Sequence, residues 1–186
     1  MMKRYVVLAL AFAIFAGPVP AAAPDPVKTA VFESIRDRLA LMKPVAAWKA
    51  LRNLPVEDLE REQRVVQSSL IKAEAVRIDG STAKPLFEAQ IAAAKEIQSC
   101  WMDRWTRDPS KAPKTAPDLI NDIRPKLIDL GAVILKNVAR AWKESEDLPF
   151  HVDDEPAFVA AVEVDCLSGA AKRQIYRALV AVQPLE

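Results

Sequence analysis

The sequence predicts an all-α protein with a single domain of about five main helices. Apolar residues recur at spacings of three and four through most of the chain, and runs of alternating β-branched residues are absent. Glycine is scarce, and only Gly80, Gly131 and Gly169 follow residue 23. A length of 186 residues fits one domain, so we expect these helices to share one core.

The N-terminal residues have the composition of a secretory signal peptide. MMKR supplies positive charge, YVVLALAFAIFAG is an apolar run, and GPVPAAAP offers small residues for cleavage near Ala21–Ala23. The apolar run is short for a transmembrane helix, although an uncleaved N-terminal anchor is the alternative. We expect residues 1–23 to be the signal peptide and residues 24–186 to be a helical domain that is periplasmic or secreted, without membrane attachment.

The first two predicted helices are separated by a proline. The first runs from about Val27–Asn53, with a kink expected at Pro44, and it ends before Pro55 because proline disrupts a helix interior. The second runs from about Val56–Ile78 and stops before Gly80.

Three further helices complete the predicted domain. The third begins near Ser81, a residue type that often caps helix N-termini, and continues to about Arg107. DPSKAPKTAP, at Asp108–Pro117, has the composition of a loop. A fourth helix covers about Asp118–Ser145, EDLPFHVDDEP interrupts the pattern, and a last helix covers about Pro156–Val182.

Charge and composition argue against several classes of function. Without Lys3 and Arg4 of the predicted signal peptide, 24 basic residues stand against 25 acidic ones, so the chain lacks the basic surplus of a nucleic-acid binder. The single histidine, His151, has no second histidine or close cysteine pair for a zinc site. A glycine-rich phosphate loop is also missing from the sequence. Any anion site must therefore be a local cluster of charges.

The two cysteines outside the signal peptide, Cys100 and Cys166, permit a disulfide in an exported protein. They fall in helical patterns far apart in sequence, so a bridge would join two helices. The alternative is a pair of buried free thiols, because free cysteine is often a core residue.

The charged residues of the first two helices are spaced to share faces. Arg38 and Lys49 are eleven residues apart, about three helical turns, and Asp58 and Arg61 are three apart. Antiparallel pairing of the two helices would bring these side chains together. Gln98, in the third helix, carries an amide that can donate a hydrogen bond. The alternative is an ordinary solvated charged surface.

This set of residues resembles the active-site pattern of the all-α chorismate mutases. The shared pattern is R-x10-K from Arg38, K-x8-D to Asp58, D-x2-R-E to Glu62, and Gln98 thirty-six residues later. RLALMKPVAAWKALRNLPVED, FEAQIAAAKEIQ, a W-x3-P and a PDL are similar to the secreted, periplasmic subclass of that family, and together they span about Phe32–Leu130. The resemblance implies the helical fold of the type II chorismate mutases.

The resemblance also implies a reaction, the Claisen rearrangement of chorismate to prephenate in aromatic amino acid biosynthesis, after the shikimate pathway. The family uses no covalent intermediate, metal or cofactor. Catalysis then consists of holding a compact dicarboxylate and stabilising its ether oxygen as charge separates. By position, Lys49 and Gln98 would donate to the ether oxygen, and Arg38 and Arg61 would hold carboxylates.

Further roles follow by the same resemblance. Glu62 and the backbone near Asp58 would bind the ring hydroxyl. Arg124 would replace the arginine that the partner subunit supplies in cytoplasmic dimers. The subclass includes dimers, so a homodimer is one expected assembly. The chain departs from the family pattern at Ala94, where Ser or Thr is usual, and at Val65, which is polar in some secreted members.

Two other functions fit the same cluster of charges. An isochorismate pyruvate lyase would use a similar cationic pocket on a related helical fold. A non-catalytic helical protein would bind a dicarboxylate without converting it, and the departures at Ala94 and Val65 are compatible with that function. Offering chorismate and isochorismate separately distinguishes the three.

Overall fold

The structure, a computed structural model, describes residues 25–186, so the predicted signal peptide lies outside the described residues. This part of the chain contains no β-strand, which confirms the all-α prediction. None of its helices is both long enough and apolar enough to cross a membrane. Seven α-helices follow one another within it: α1 (Pro26–Ala40), α2 (Met42–Ala50), α3 (Leu59–Ala75), α4 (Gly80–Arg107), α5 (Arg124–Glu144), α6 (Glu155–Ala161) and α7 (Gly169–Val180).

The longest helix, α4, is the centre of the fold. Its 28 residues span about 42 Å, and it packs against α1, α2, α3 and α7. Leu86, Phe87 and Ile97 of α4 are almost completely buried in the main core. On the other side, α1 packs along α5 and α6 packs on α7. The charged faces of α1, α2 and α3 thus surround one face of α4.

The first predicted helix is two helices, and the break lies before the predicted kink. α1 ends at Ala40 and α2 begins at Met42, whereas the kink was expected at Pro44. Pro44 has no N–H, and its ring crowds the carbonyl four residues earlier, which belongs to Ala40. α2 also ends early, and Asn53 follows in the left-handed region with φ 51°, which asparagine tolerates.

The second and third predicted helices differ from the structure mainly at their ends. α3 spans Leu59–Ala75 rather than Val56–Ile78, and Ile78 instead forms an isolated bridge with Pro184. The N-cap of α4 is Asp79 and not Ser81, because the Asp79 carboxylate accepts the N–H of Ser81 at 2.8 Å.

The fourth predicted helix begins with a wide turn. Asp118 is the N-cap, as its position in the sequence suggests, but residues 119–123 form a π-helical turn before α5 starts at Arg124. Pro125 lacks an N–H, so the regular helical bond at that position cannot form. Short π-helical segments are frequent at functional sites.

The last predicted helix, Pro156–Val182, is also two helices in the structure. α6 ends at Ala161 and α7 starts at Gly169, with Ser168 as N-cap. The connecting segment is attached to α4: the sulfurs of Cys100 and Cys166 are bonded, and Cys166 has φ 70°. The apolar spacing predicted one uninterrupted helix. In the structure the disulfide holds a non-helical segment in the middle of that range, and Ser168 starts a new helix after it.

Candidate active site

A single cavity lies between α1, α2, α3, α4 and the start of α5, and we call it the central cavity. Its empty volume is about 1080 Å³, counted out into its open mouth. All seven residues that the sequence singled out line it: Arg38, Lys49, Asp58, Arg61, Glu62, Gln98 and Arg124.

Arg38 is the most deeply buried charge of the central cavity. Only 6% of its surface is exposed, and burial lowers the pKa of its guanidinium to about 10, which leaves it charged at neutral pH. Its Nη1 donates to Gln90 Oε1 at 3.4 Å, and among residues 25–186 its Nε has no partner. Because its protein partner is a neutral amide, the positive charge of Arg38 is not neutralised and can attract an anion.

Lys49 and Arg61 approach the cavity from α2 and α3. Lys49 Nζ donates to the carbonyl of Val56 at 2.6 Å, which ties the loop between these helices to α2. Desolvation lowers the pKa of both side chains, and the positive charge of Arg124 lowers each further, although the negative charge of Asp58 opposes this for both and that of Glu62 opposes it for Lys49. The three cations are therefore close enough to repel one another. A dianion bound between them would relieve that repulsion.

In the part of the chain that the structure describes, the cations of the cavity form no salt bridge. Within residues 25–186, an acidic oxygen within 4.0 Å is found for none of Arg38, Lys49, Arg61 and Arg124. The ion pairs of this part of the chain instead involve other, mostly surface-exposed side chains. The cavity thus concentrates positive charge that the protein does not neutralise by contact.

Asp58 and Glu62 are held by the start of α3. Asp58 accepts the N–H of Arg61 at 3.1 Å as N-cap, and Glu62 Oε1 accepts the N–H of Asp58 at 3.2 Å. The other Glu62 oxygen pairs with Lys95 at 3.0 Å, and this hydrogen bond is the main reason that the pKa of Lys95 is raised. Reciprocal capping and one ion pair thus fix a carboxylate at the cavity wall.

Gln98 is 5% exposed and faces the cavity from α4. Its Nε2 donates to the carbonyl of Ala94 at 3.0 Å and lies 3.7 Å from the sulfur of Met42. An amide nitrogen carries two hydrogens, and a thioether is only a weak acceptor. The N–H that faces the Met42 sulfur can therefore bond to a stronger acceptor on a ligand. Ala94 also lines the cavity, and its methyl group offers no hydrogen bond.

Sequence reasoning missed several polar residues of this region. Lys95 and Ser69 line the central cavity, and Gln90 contacts Arg38 from behind it. Lys95 has one weak signal in the sequence, because it lies three residues before Gln98 and therefore near the same face of the helix. Gln90 has none, since its contact with α1 depends on how the two helices pack.

Metal ligands are not clustered here, and the cysteines lie elsewhere. In the described part of the chain, no group of three His, Cys, Asp or Glu side chains is arranged to hold a metal ion. Cys100 and Cys166, with Cα atoms 5.8 Å apart, are absent from the lining of the central cavity.

Comparison with known proteins identifies similar sequences. Residues 25–99 match the family described as chorismate mutase type II. A curated relative, the secreted chorismate mutase of Yersinia pestis, is 33% identical over 142 residues, which cover 76% of this chain and 74% of the relative. The matched family segment includes Arg38 and Gln98 but ends before Arg124.

Solved structures have the same fold. The crystal structure of the secreted chorismate mutase from Yersinia pestis aligns with a TM-score of 0.76 at 31% identity, and the alignment covers 84% of this chain and 97% of that one. The crystal structure of a chorismate mutase from Burkholderia phymatum aligns with a TM-score of 0.69 at 26% identity, covering 82% and 95% of the two chains.

Proposed function

The chain belongs to the chorismate mutase family, and from that premise we propose that it is an exported enzyme that rearranges chorismate to prephenate in the central cavity. Two features support export: the relative from Yersinia pestis is named a secreted chorismate mutase, and the N-terminal sequence has signal-peptide composition. The reaction is an isomerisation. One ether C–O bond breaks as one C–C bond forms, and no atom leaves or enters.

The cations of the cavity suit the two carboxylates of chorismate. Arg38 and Arg61 would each hold a carboxylate, because a guanidinium binds this group through paired N–H donors. Arg124 adds positive charge from the start of α5. Fixing both carboxylates favours the compact conformer in which the bond-forming carbons approach each other.

Lys49 and Gln98 would act on the ether oxygen. Negative charge develops there as the C–O bond breaks, so donors held in place beforehand lower the barrier. Lys49 keeps N–H donors beyond the one bonded to Val56, and Gln98 keeps the N–H that points toward the Met42 sulfur. Neither group needs to transfer a proton.

Glu62 and the backbone at Asp58 would receive the ring hydroxyl. Arg124 comes from the same chain as the other six residues, so one subunit would supply all seven residues of the proposed site. If the protein forms a homodimer, each subunit would therefore hold its own site. This arrangement differs from that of the family's cytoplasmic dimers, in which the partner supplies an arginine.

The single observation that carries the proposal is buried Arg38. Its guanidinium is buried and charged, hydrogen-bonds among residues 25–186 to the neutral Gln90 and to no acidic side chain, and lines a cavity that other cations also line. A buried charge without a countercharge costs several kcal/mol of folding free energy. An anionic substrate that supplies the countercharge explains why this arrangement is tolerated.

The test is direct turnover. The purified protein is given chorismate, and the loss of chorismate and the appearance of prephenate are followed, with Lys49→Ala in parallel. We expect turnover by the wild type and a fall in kcat/KM of about 100-fold or more in the variant, as is typical when one transition-state donor is removed.

Lys43→Ala is the matched control, because it removes the same charge from the exposed side of α2. It should retain activity within about threefold, as expected for a surface change. Isochorismate is offered separately, and pyruvate release from it would favour the lyase. Binding of chorismate without turnover by the wild type would refute the proposed activity.

A further inference from the structure

We propose that Gln90 is a positioning residue: it holds the Arg38 guanidinium with a neutral acceptor, so that the charge of Arg38 is left for a substrate carboxylate. The proposal rests on the proposed function, because Arg38 meets a substrate only if the central cavity binds one. Gln90 itself would not touch the substrate, since it is absent from the residues that line the cavity.

The geometry places Gln90 directly behind Arg38. Gln90 is on α4, 0% of its surface is exposed, and its Oε1 accepts from Arg38 Nη1 at 3.4 Å. This is the only side-chain hydrogen bond that Arg38 makes within residues 25–186. Nη1 is thus bonded to a residue outside the cavity lining, while Arg38 itself lines the cavity.

Ordinary core packing does not account for a glutamine at this position. A buried amide normally satisfies both its oxygen and its nitrogen, yet the Nε2 of Gln90 has no partner among the described residues. An apolar side chain of similar volume would avoid that unfavourable burial. The contact of Gln90 with Arg38 is the feature that an apolar residue could not provide.

The neutrality of the amide matters as much as its position. Glutamate has nearly the same shape, but its carboxylate would pair with Arg38 and occupy the charge intended for substrate. A substrate carboxylate would then have to displace it, and the displaced side chain would be a buried anion without a partner. It would take up a proton, so substrate binding would weaken as the pH rises.

Three variants test this role with chorismate as the probe. Gln90→Glu adds the competing charge, Gln90→Met removes the acceptor at similar volume, and Gln174→Glu adds the same charge on the exposed face of α7. We expect Gln90→Glu to raise KM about tenfold or more at about pH 8, and less at about pH 5.5, because a charge-assisted hydrogen bond is lost.

Gln90→Met should raise KM about threefold to tenfold equally at both pH values, with kcat within about twofold, since uniform binding is weakened. Gln174→Glu should behave as wild type. A merely structural role would instead lower the melting temperature and kcat together, without a pH-dependent KM ratio for Gln90→Glu.

The outcomes separate this proposal from the proposed function. If the wild type converts chorismate and both Gln90 variants keep its KM at both pH values, the positioning role is wrong and the function stands. If Gln90→Glu does not fold, as judged by circular dichroism, the KM and kcat of Gln90→Met decide. A wild type without turnover overturns the proposed function and this role with it.

Discussion

Buried polar groups are satisfied in the layer that α6 and α7 form, which we call the α6–α7 layer, and are left unsatisfied around the central cavity. In the α6–α7 layer, Lys172 Nζ donates to the carbonyl of Val159 at 3.1 Å, and the hydroxyl of Tyr176 donates to the carbonyl of His151 at 2.6 Å. Tyr176 is almost fully buried, and burial raises its pKa, so the phenol stays protonated as a donor. This layer satisfies its polar groups internally.

Around the central cavity the polar groups are left unsatisfied. Within residues 25–186, four buried side-chain atoms lack a hydrogen-bond partner, and three of them belong to Arg38, Gln90 and Gln98. The fourth is Nε1 of Trp101, which is not part of the cavity lining. Unsatisfied buried groups cost stability, so their concentration here indicates a region organised for a ligand rather than for folding. Substitutions in the α6–α7 layer should therefore affect stability, and substitutions around the central cavity should affect catalysis.

Removal of the disulfide should have the largest effect, and it should act on stability. Cys100 and Cys166 are 66 residues apart, and a closed loop of that size contributes about 4 kcal/mol to the free energy of unfolding. We expect the double variant Cys100→Ser/Cys166→Ser to lose about that amount, measured by urea denaturation. At a temperature where it remains folded, its kcat/KM should stay within about threefold of wild type, as for a change outside the site.

The wild type treated with reductant provides the control for this prediction, since it should unfold at the same urea concentration as the double variant. The double variant itself should not respond to reductant. A folded double variant whose kcat/KM falls by more than about tenfold would show that the α6–α7 layer also shapes the site. Stability and catalysis would then not be divided between the two regions.

Arg38→Met should produce the opposite pattern. Removing the buried guanidinium is expected to cost about 3 kcal/mol of transition-state binding, roughly 150-fold in kcat/KM, because charge-assisted bonds to a carboxylate are lost. The free energy of unfolding should not decrease, since an unpaired buried charge is replaced by an apolar side chain. Steady-state kinetics and urea denaturation measure the two quantities.

Arg36→Met is the matched control, because Arg36 lies on the same helix, is partly exposed, and pairs with Asp37. It should change neither kcat/KM nor stability by more than about 0.5 kcal/mol. Loss of several kcal/mol of stability in Arg38→Met would mean that Arg38 is a structural residue, like Lys172.

Gln98→Glu should confine activity to acid, with a loss of about 2.7 kcal/mol, roughly 100-fold, at about pH 8. A carboxylate donates a hydrogen bond only when it is protonated, and burial raises its pKa. Activity of the variant should be present below that raised pKa and lost as the pH rises through it. A rate–pH series on both proteins measures this effect.

The wild type should have a flat profile from mildly acidic to mildly alkaline pH, because its amide does not titrate. Its activity should decline only when Lys49 loses its proton, and desolvation lowers the pKa at which this occurs. A Gln98→Glu enzyme that keeps its acid-range activity at about pH 8 would contradict the role of Gln98 as an ether-oxygen donor.

Local sequence rules predicted the helices well and their ends less well. Apolar spacing located the helical regions but merged α1 with α2 and α6 with α7, and proline and capping residues located several of the other breaks. The spacing could not separate α6 from α7, because apolar residues continue through the segment that carries Cys166. That break depends on a covalent link to α4 and on a hydrogen bond from the N–H of Ser168 to Glu96 at 2.6 Å, and both are long-range contacts.

The residues of the site were predictable for a different reason. Arg38 and Lys49 are spaced to share a face of one helix, but α1 and α2 are separate helices. What indicated them was the complete pattern of fixed offsets, which resembles a known family. Gln90 and Lys95 lie outside that pattern. The contact of Gln90 depends on the packing of α4 against α1, which the sequence does not indicate, and the ion pair of Lys95 depends on the packing of α4 against α3, for which its spacing from Gln98 is only a weak signal.

The smallest expected effect is a gain, and it concerns the departure from the family at Ala94. Ala94 is 8% exposed, lines the central cavity and lies one turn before Gln98. A serine hydroxyl there can donate to a substrate carboxylate, and a net hydrogen bond contributes about 1 kcal/mol. The same hydroxyl can instead bond to the carbonyl of Gln90 four residues earlier, which offsets part of the gain.

We therefore expect Ala94→Ser to raise kcat/KM about threefold, through a lower KM with little change in kcat, because the new bond forms in ground and transition states alike. Ala92→Ser is the control, since Ala92 is exposed and lines the outer groove between α3 and α4 rather than the central cavity. An unchanged KM in Ala94→Ser would mean that no carboxylate reaches this part of the cavity wall. In that case the arginines alone would bind the substrate carboxylates, and the methyl group of Ala94 would not lower the affinity for substrate.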